Sequence, residues 1–201
     1  LSAVLAIPPA LALGPVSETV YRGIDVSVYQ GDINFQRVKA SGIDVVYIRA
    51  GEGSGYKDTY FEANAQKAKE AGLSFGFYLY VTAKTQEEAR QQAQFFYDLI
   101  KDKEYTCRPA MDLEEFSGRT EAQINEVGLA FLQEMERLSG VTPVIYTDAY
   151  AANRIWDAAF GAYPLWVANY DVEEPDVKVD TWAGWAGFQY SDEGRVSGIE
   201  G

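Results

Sequence analysis

The chain contains no histidine in 201 residues. That absence excludes a Ser-His-Asp triad, a Cys-His nucleophile pair and any His-ligated zinc or iron centre. A single cysteine, Cys107, excludes an intrachain disulfide, a CxxC redox pair and a Cys-rich metal site. Basic residues are scarce: 17 Lys and Arg stand against 30 Asp and Glu, a formal net charge of -13. A protein that grips phosphates carries the opposite sign, so nucleic acid is not an expected partner. No Gly-rich phosphate loop of either common kind occurs, which leaves a dinucleotide-binding fold without support. There is no internal repeat, low-complexity tract or linker. Nor does any run reach the roughly 20 apolar residues that span a bilayer. The most apolar stretch, residues 1–13 (LSAVLAIPPALAL), is broken by Pro8 and Pro9 and has no basic flank of a signal peptide. Stable membrane insertion is therefore not expected. Proton chemistry must come from Asp and Glu, with Tyr, Lys and amides in support.

Aromatic residues are abundant: 14 Tyr, 10 Phe and 4 Trp, more than a core alone usually needs. Sugars offer apolar C–H faces and hydroxyl edges, so aromatic platforms beside carboxylates lean toward carbohydrate. Residues 1–20 read as an apolar N-terminal arm, a processed or trimmed segment, and residues 21–201 as one catalytic domain. The arm is expected to lie against apolar surface, with a neighbouring molecule favoured over its own barrel and self-association as the consequence. Cys107 is expected to be an inert core residue.

From Tyr21 onward strand-like runs alternate with amphipathic helices. The runs are 21–26, 44–50, 74–81, 108–114, 142–147, 164–169 and 187–190, with a last one near 195–197. Several look apolar on both faces, as buried parallel strands are. Helices fit 34–41, the segment after Asp58 up to Gly72, the segments opened by Thr85 with Glu88 and by Thr120 with Gln123, and 148–160. Strand–helix recurs five times, followed by about three strands with little helix between them. That order implies an α/β fold with a parallel sheet. A full eight-fold barrel needs about 250 residues, and only about 180 follow the arm, so the expected fold is a shortened, modified TIM-type barrel.

In such a barrel the chemistry sits at the C-terminal ends of the strands. Taken in order, those ends carry Asp25; Glu52; Tyr78 and Tyr80; Asp112 and Glu114; Tyr146 and Asp148; Trp166 and Asn169; and Gln189. Carboxylates, aromatics and amides gather there, and Lys does not. Asp112 and Glu114 are two apart in a strand, so both face one side with Cα atoms roughly 6–7 Å apart. Paired carboxyls repel, and burial lifts the pKa of the less solvated one, so one keeps a proton while the other stays charged. Glycoside hydrolysis needs that division of labour. The plainer alternative is that one of them caps the next helix or pairs with Arg119.

The segments GIDVSVYQGDINFQRVKASGIDVVYIRAGEG, GFYLYV, AMDLEE, VIYT, LWVANY and FQYSDEGRVSGIEG, in this order, resemble the family 25 glycoside hydrolases, the Chalaropsis/Streptomyces-type lysozymes or N-acetylmuramidases. The resemblance covers about residues 22–201. It implies an eight-stranded barrel with about five helices and hydrolysis of β-1,4 bonds between N-acetylmuramic acid and N-acetylglucosamine in peptidoglycan. It also implies retention of configuration with acetamido assistance, no metal or cofactor, and action outside the cell or in the wall of a bacterium or a phage host. By the same resemblance Glu114 is the proton donor, Asp112 steadies the N-acetyl group and Asp25 lines the cleft. Tyr78, Tyr146, Trp166 and Gln189 fall where sugar subsites are commonly lined, and Glu200 stands where the family usually has Asp. Tyr78-Leu79-Tyr80 replaces the Tyr-His-Phe of many members, and Phe188 replaces a Trp. These departures bear on substrate preference and rate. The competing readings are a chitinase-like barrel, whose DxE motif carries further Asp residues where Cys107 and Ala110 stand here, and a non-catalytic peptidoglycan-binding module. The acidic net charge would be repelled by anionic wall polymers. Either a targeting module elsewhere supplies wall affinity, or the cleft works against that repulsion.

Overall fold

Parallel strands need a crossover between them, and here each crossover is a helix until the sheet is nearly complete. The computed structural model describes residues 13–200. Its elements run β1 (Gly23–Val26), α1 (Phe35–Ala40), β2 (Val45–Glu52), β3 (Tyr56–Lys57), α2 (Phe61–Glu70), β4 (Ser74–Tyr80) and α3 (Gln86–Ile100). They continue with β5 (Ala110–Asp112), α4 (Glu121–Ser139), β6 (Val144–Asp148), α5 (Ala149–Arg154), β7 (Leu165–Ala168) and β8 (Gly187–Gln189). The sheet order is β1-β2-β4-β5-β6-β7-β8, all parallel, with β3 antiparallel on β2. Among the described residues no backbone ladder joins β8 back to β1, so the curled sheet is a half-barrel with an open edge-to-edge seam. The shortened α/β barrel with five helices is the observed fold. Its eighth strand, however, is the two-residue β3 and not a strand near 195–197, where the chain makes turns and Val196 packs on the core.

The sequence suggested strands apolar on both faces, and the structure corrects this. On the helix side the strands present Val46, Ile48, Phe75, Phe77, Leu79, Met111, Ile145, Leu165 and Val167, each buried. On the concave side register places Tyr80, Asp112, Tyr146 and Trp166 in one row across four neighbouring strands. The period-2 alternation of a strand thus separates an aliphatic face that carries the core from a polar-aromatic face.

A cavity of about 450 Å³ lies between the arm and the seam, lined toward the N-terminal strand ends by Val16, Tyr47, Cys107, Trp185 and Phe188 and reaching Asp25 and Gln189. The described part of the arm lies on its own barrel: Val16 N–H donates to Trp185 C=O at 2.9 Å and Trp185 N–H to Gly14 C=O at 2.9 Å. Residues 1–12, with most of the arm's apolar side chains, lie outside the described residues. Cys107 is half-buried against this cavity instead of lying in the core, and burial pushes its thiol pKa up, which keeps it a weak nucleophile.

The helices start where their caps predict. Thr120 accepts from Gln123 N–H and Gln123 returns the bond to the Thr120 N–H, a complete capping box. Thr85 caps α3 through Glu88 N–H at 3.2 Å, but the Glu88 carboxylate turns to Lys84 N–H at 2.7 Å, so that box is half made. Residues 148–160 divide into α5 and a 3-10 turn (Ala158–Ala162), between which the Trp156 indole donates to Thr147 Oγ1 at 2.8 Å. The aromatic wall formed by Trp156 and Phe160 presses on α4 at Gly128, where an added Cβ would stand 2.9 Å from Trp156 and 3.1 Å from Phe160. Replacing a helical glycine by alanine ordinarily gains about 0.5–1 kcal/mol. Here overpacking against two buried rings, costing about 1–3 kcal/mol, outweighs it. Gly128→Ala is therefore expected to lower stability in urea unfolding, and a more stable variant would show that the rings move aside freely.

Candidate active site

The site is built on the C-terminal ends of the central strands. β5 is short, and its Ala110 and Met111 are wholly buried, which anchors Asp112 between Tyr80 of β4 and Tyr146 of β6. The strand ends at Asp112, two residues earlier than the sequence suggested. Leu113, fully buried, keeps the in–out alternation going, and Glu114 returns to the concave side at the solvent edge. Neither acid serves the following helix. Thr120 caps α4, and Arg119 donates to Ala83 C=O at 2.7 Å.

Asp112 is 8% exposed, and its Oδ1 is buried with no hydrogen-bond partner among the described residues. A buried acceptor left unpaired costs roughly 1–3 kcal/mol, so it calls for a reason. Burial raises the Asp112 pKa well above the ordinary carboxylate value, and the charges of Glu114 and Asp25 push it further, against the pull of Arg49. The Glu114 pKa is also raised, by lost hydration first and then by Asp148 and Asp25. Burial likewise raises Asp25, opposed by a hydrogen bond from Gln189. Three acids thus face one cleft and hold protons more tightly than free carboxylates do.

Around them Gln189 Nε2 donates to Asp25 Oδ2 at 2.8 Å, while the Tyr146 and Tyr170 hydroxyls donate to Gln189 Oε1 at 2.8 and 3.0 Å. The Trp166 ring packs between Tyr146 and Tyr47, with centroids at 5.0 and 4.7 Å. The Tyr78 hydroxyl pKa is raised by burial and then by the charges of Asp25 and Asp112. Tyr80 and Glu52 are register partners at the edge of this group. The Tyr80 hydroxyl pKa is pushed up to about 12 by burial and then by Glu115, Glu114, Asp112 and Glu52.

Two of the sequence candidates do not join the group. The Asn169 amide oxygen accepts from Asp176 N–H at 2.9 Å and so shapes the loop after β7. Glu200 is exposed at the end of the described chain, past the Gly198 C=O that accepts from Asn34 N–H at 2.9 Å. Sequence reasoning missed Arg49, Tyr47 and Tyr170. Arg49 is 7% exposed, pairs with the buried Asp58 at 2.8 Å and lies under the Tyr29 and Tyr56 rings. Only its position two residues after Tyr47 on an inward-facing row could have revealed it.

A parallel half-barrel whose C-terminal rim presents three carboxylates between aromatic walls has the equipment of a glycoside hydrolase that works by acid–base chemistry. The family model described as Glycosyl hydrolases family 25 matches residues 24–199. An autolytic lysozyme of Clostridium acetobutylicum is 35% identical over 90% of this chain, which spans 53% of that protein's length. Lysozyme M1 of Streptomyces globisporus is 31% identical over 96% of this chain and 69% of its own. The crystal structure of the Streptomyces coelicolor lysozyme, 30% identical, superposes with a TM-score of 0.78 over 92% of this chain and 90% of that one. The chain belongs to family 25 of the glycosyl hydrolases.

The raised Asp112 pKa has a consequence for stability. Its folded value lies above the unfolded one, so the folded state binds the proton more tightly. The associated stability is present below about pH 4 and is lost as pH rises through the folded value. Asp112→Asn removes that loss. Thermal unfolding at pH 7 is expected to show a gain of about 1 kcal/mol, or about 2–4 °C in Tm, with a flatter dependence on pH. An unchanged pH slope would mean that burial of this carboxyl is not what the fold works against.

Proposed function

We propose that this chain is a lysozyme that hydrolyses the β-1,4 bond between N-acetylmuramic acid and N-acetylglucosamine in peptidoglycan, with retention of configuration. The observation that carries this reading is the unpartnered, buried Asp112 Oδ1 beside Glu114. It is an acceptor suited to an N–H donor from the substrate, and a 2-acetamido group supplies one. When that N–H donates to Asp112, the ionised form of Asp112 is favoured, and its charge raises Glu114 further. The proton then rests on Glu114, where the leaving oxygen needs it.

In this reaction Glu114 protonates the glycosidic oxygen while the acetamido oxygen attacks the anomeric carbon from the other face, expelling the leaving sugar. Asp112 steadies the positive charge that develops on the acetamido group. Glu114, now a carboxylate, takes a proton from water, which opens the cyclic intermediate and restores the original configuration. Asp25 stands across the cleft as a further carboxyl group, and Tyr78, Tyr146 and Trp166 supply aromatic and hydroxyl surface to the sugars. Peptidoglycan glycan strands are the partner, and the place of action is the cell wall, outside the cytoplasm. No helix among the described residues is long and apolar enough to cross a membrane.

The acid is tested by Glu114→Gln, which keeps size and hydrogen bonding but removes the transferable proton. Release of reducing ends from purified peptidoglycan is expected to fall by about two to four decades. Borohydride reduction of the wild-type digest is expected to convert muramic acid, and not glucosamine, to its alcohol. Near-wild-type turnover in the variant would place the acid elsewhere.

A further inference from the structure

The C-terminal rim has one mechanical weakness, the seam between β1 and β8. Among the described residues the only hydrogen bond between these two strands is the one from Gln189 Nε2 to Asp25 Oδ2, at 2.8 Å. Backbone bonds flank the seam from outside, at Val16–Trp185 and Asn34–Gly198, but do not close it. Asp25 therefore sits on an edge strand and is tied to the far edge by one side chain.

We propose that Gln189 is a positioning residue: gripped by the Tyr146 and Tyr170 hydroxyls, its amide holds Asp25 in place across the open seam, and it does not serve chiefly as a sugar contact. An amide oxygen has two lone pairs, and both are taken, by Tyr146 at 2.8 Å and Tyr170 at 3.0 Å. One of the two Nε2 hydrogens is spent on Asp25, which leaves a single N–H for any ligand. Backbone pairing adds to the rigidity, since Gln189 is in register with Ala168 and its C=O accepts from Asn169 N–H at 3.0 Å. The amide orientation is also determined by its partners. Hydroxyls must donate to Oε1 and an ionised carboxylate must accept from Nε2, whereas the flipped amide would set an oxygen against a carboxylate.

The grip acts on a crowded charge. Asp25 has Tyr47 of β2 as its register partner, and its charge is felt by Tyr78 of β4, Asp112 and Glu114 at the end of β5, and Tyr170 after β7. Burial disfavours its ionised form, and the Gln189 hydrogen bond is the side-chain interaction that favours it. Losing that bond frees the Asp25 side chain to turn and makes it a weaker acid. The inference rests on the proposed hydrolase reading for what Asp25 does, but not for what holds it.

The test separates the two. Aspartate carboxyl carbons are labelled with carbon-13 and titrated by NMR in the wild type, Gln189→Leu and Tyr170→Phe, with Asp25→Asn to assign the resonance. Rates on solubilised peptidoglycan are measured across pH in parallel. In Gln189→Leu the Asp25 titration is expected to move up by about one pH unit, within the usual span of hydrogen-bond effects. The acidic limb of kcat/KM should follow it, with kcat down about tenfold and KM changed less than about twofold. Tyr170→Phe removes one oxygen from an exposed ring and should move the titration in the same direction by less. An unmoved Asp25 titration, or a raised KM with kcat preserved, would overturn the proposal and make Gln189 a sugar contact. Should the leucine variant fail to fold, the Tyr170→Phe titration decides alone. A wild type that does not cut peptidoglycan would defeat the lysozyme reading and leave the NMR result to judge Gln189.

Discussion

Asp25, Asp112 and Glu114 share one half-buried cleft, in which Asp25 and Glu114 make Asp112 harder to ionise and Asp25 does the same to Glu114. Lost hydration is the larger effect for each, and neighbouring negative charge adds to it at Asp112 and Glu114. The surroundings of the cleft are best understood as the means of holding that arrangement. Arg49 brings a positive charge close to Asp112 and is itself anchored by Asp58, which also accepts from the Val28 and Tyr60 N–H groups at 2.9 Å. Gln189 meets Asp25 with an N–H, and the tyrosines that hold Gln189 add dipoles without adding charge. Within the cleft, Asp112 Oδ1 is the buried side-chain atom left without a hydrogen-bond partner among the described residues.

A cleft under such stress needs a scaffold that does not depend on it. The helix-facing side of the sheet supplies this, because nearly all of its aliphatic and aromatic side chains are buried against five helices. Full burial of one such side chain contributes about 1.5–3 kcal/mol, so a few of them outweigh the cost of one poorly solvated carboxylate. Stability and chemistry are thus assigned to opposite faces of the same strands. The same division accounts for the open seam. A closed barrel would fill its interior with packed side chains, whereas a half-barrel leaves room for a polymer to lie across the rim.

Much of this was legible in the sequence. Alternating runs and capping residues located five helices and seven parallel strands, since local hydrogen bonding and hydrophobic period depend on near neighbours alone. Asp112 and Glu114 stood out as candidates by spacing together with the family resemblance, and Asp25, Tyr146 and Gln189 by their places at strand ends.

What only the tertiary structure decided concerns partners distant in sequence. Arg49 looks like any strand residue until Asp58 and two tyrosine rings close over it. Asn169 looks like a rim amide until Asp176 takes its oxygen. The seam, and the bond across it between residues 164 positions apart, exists because the sheet curls. Composition and spacing pointed to acids as the candidate proton carriers and to roughly where they stand along the chain. The proton held by each acid was set by burial and by neighbouring charges. Those depend on distances through space, which a linear order of residues does not contain.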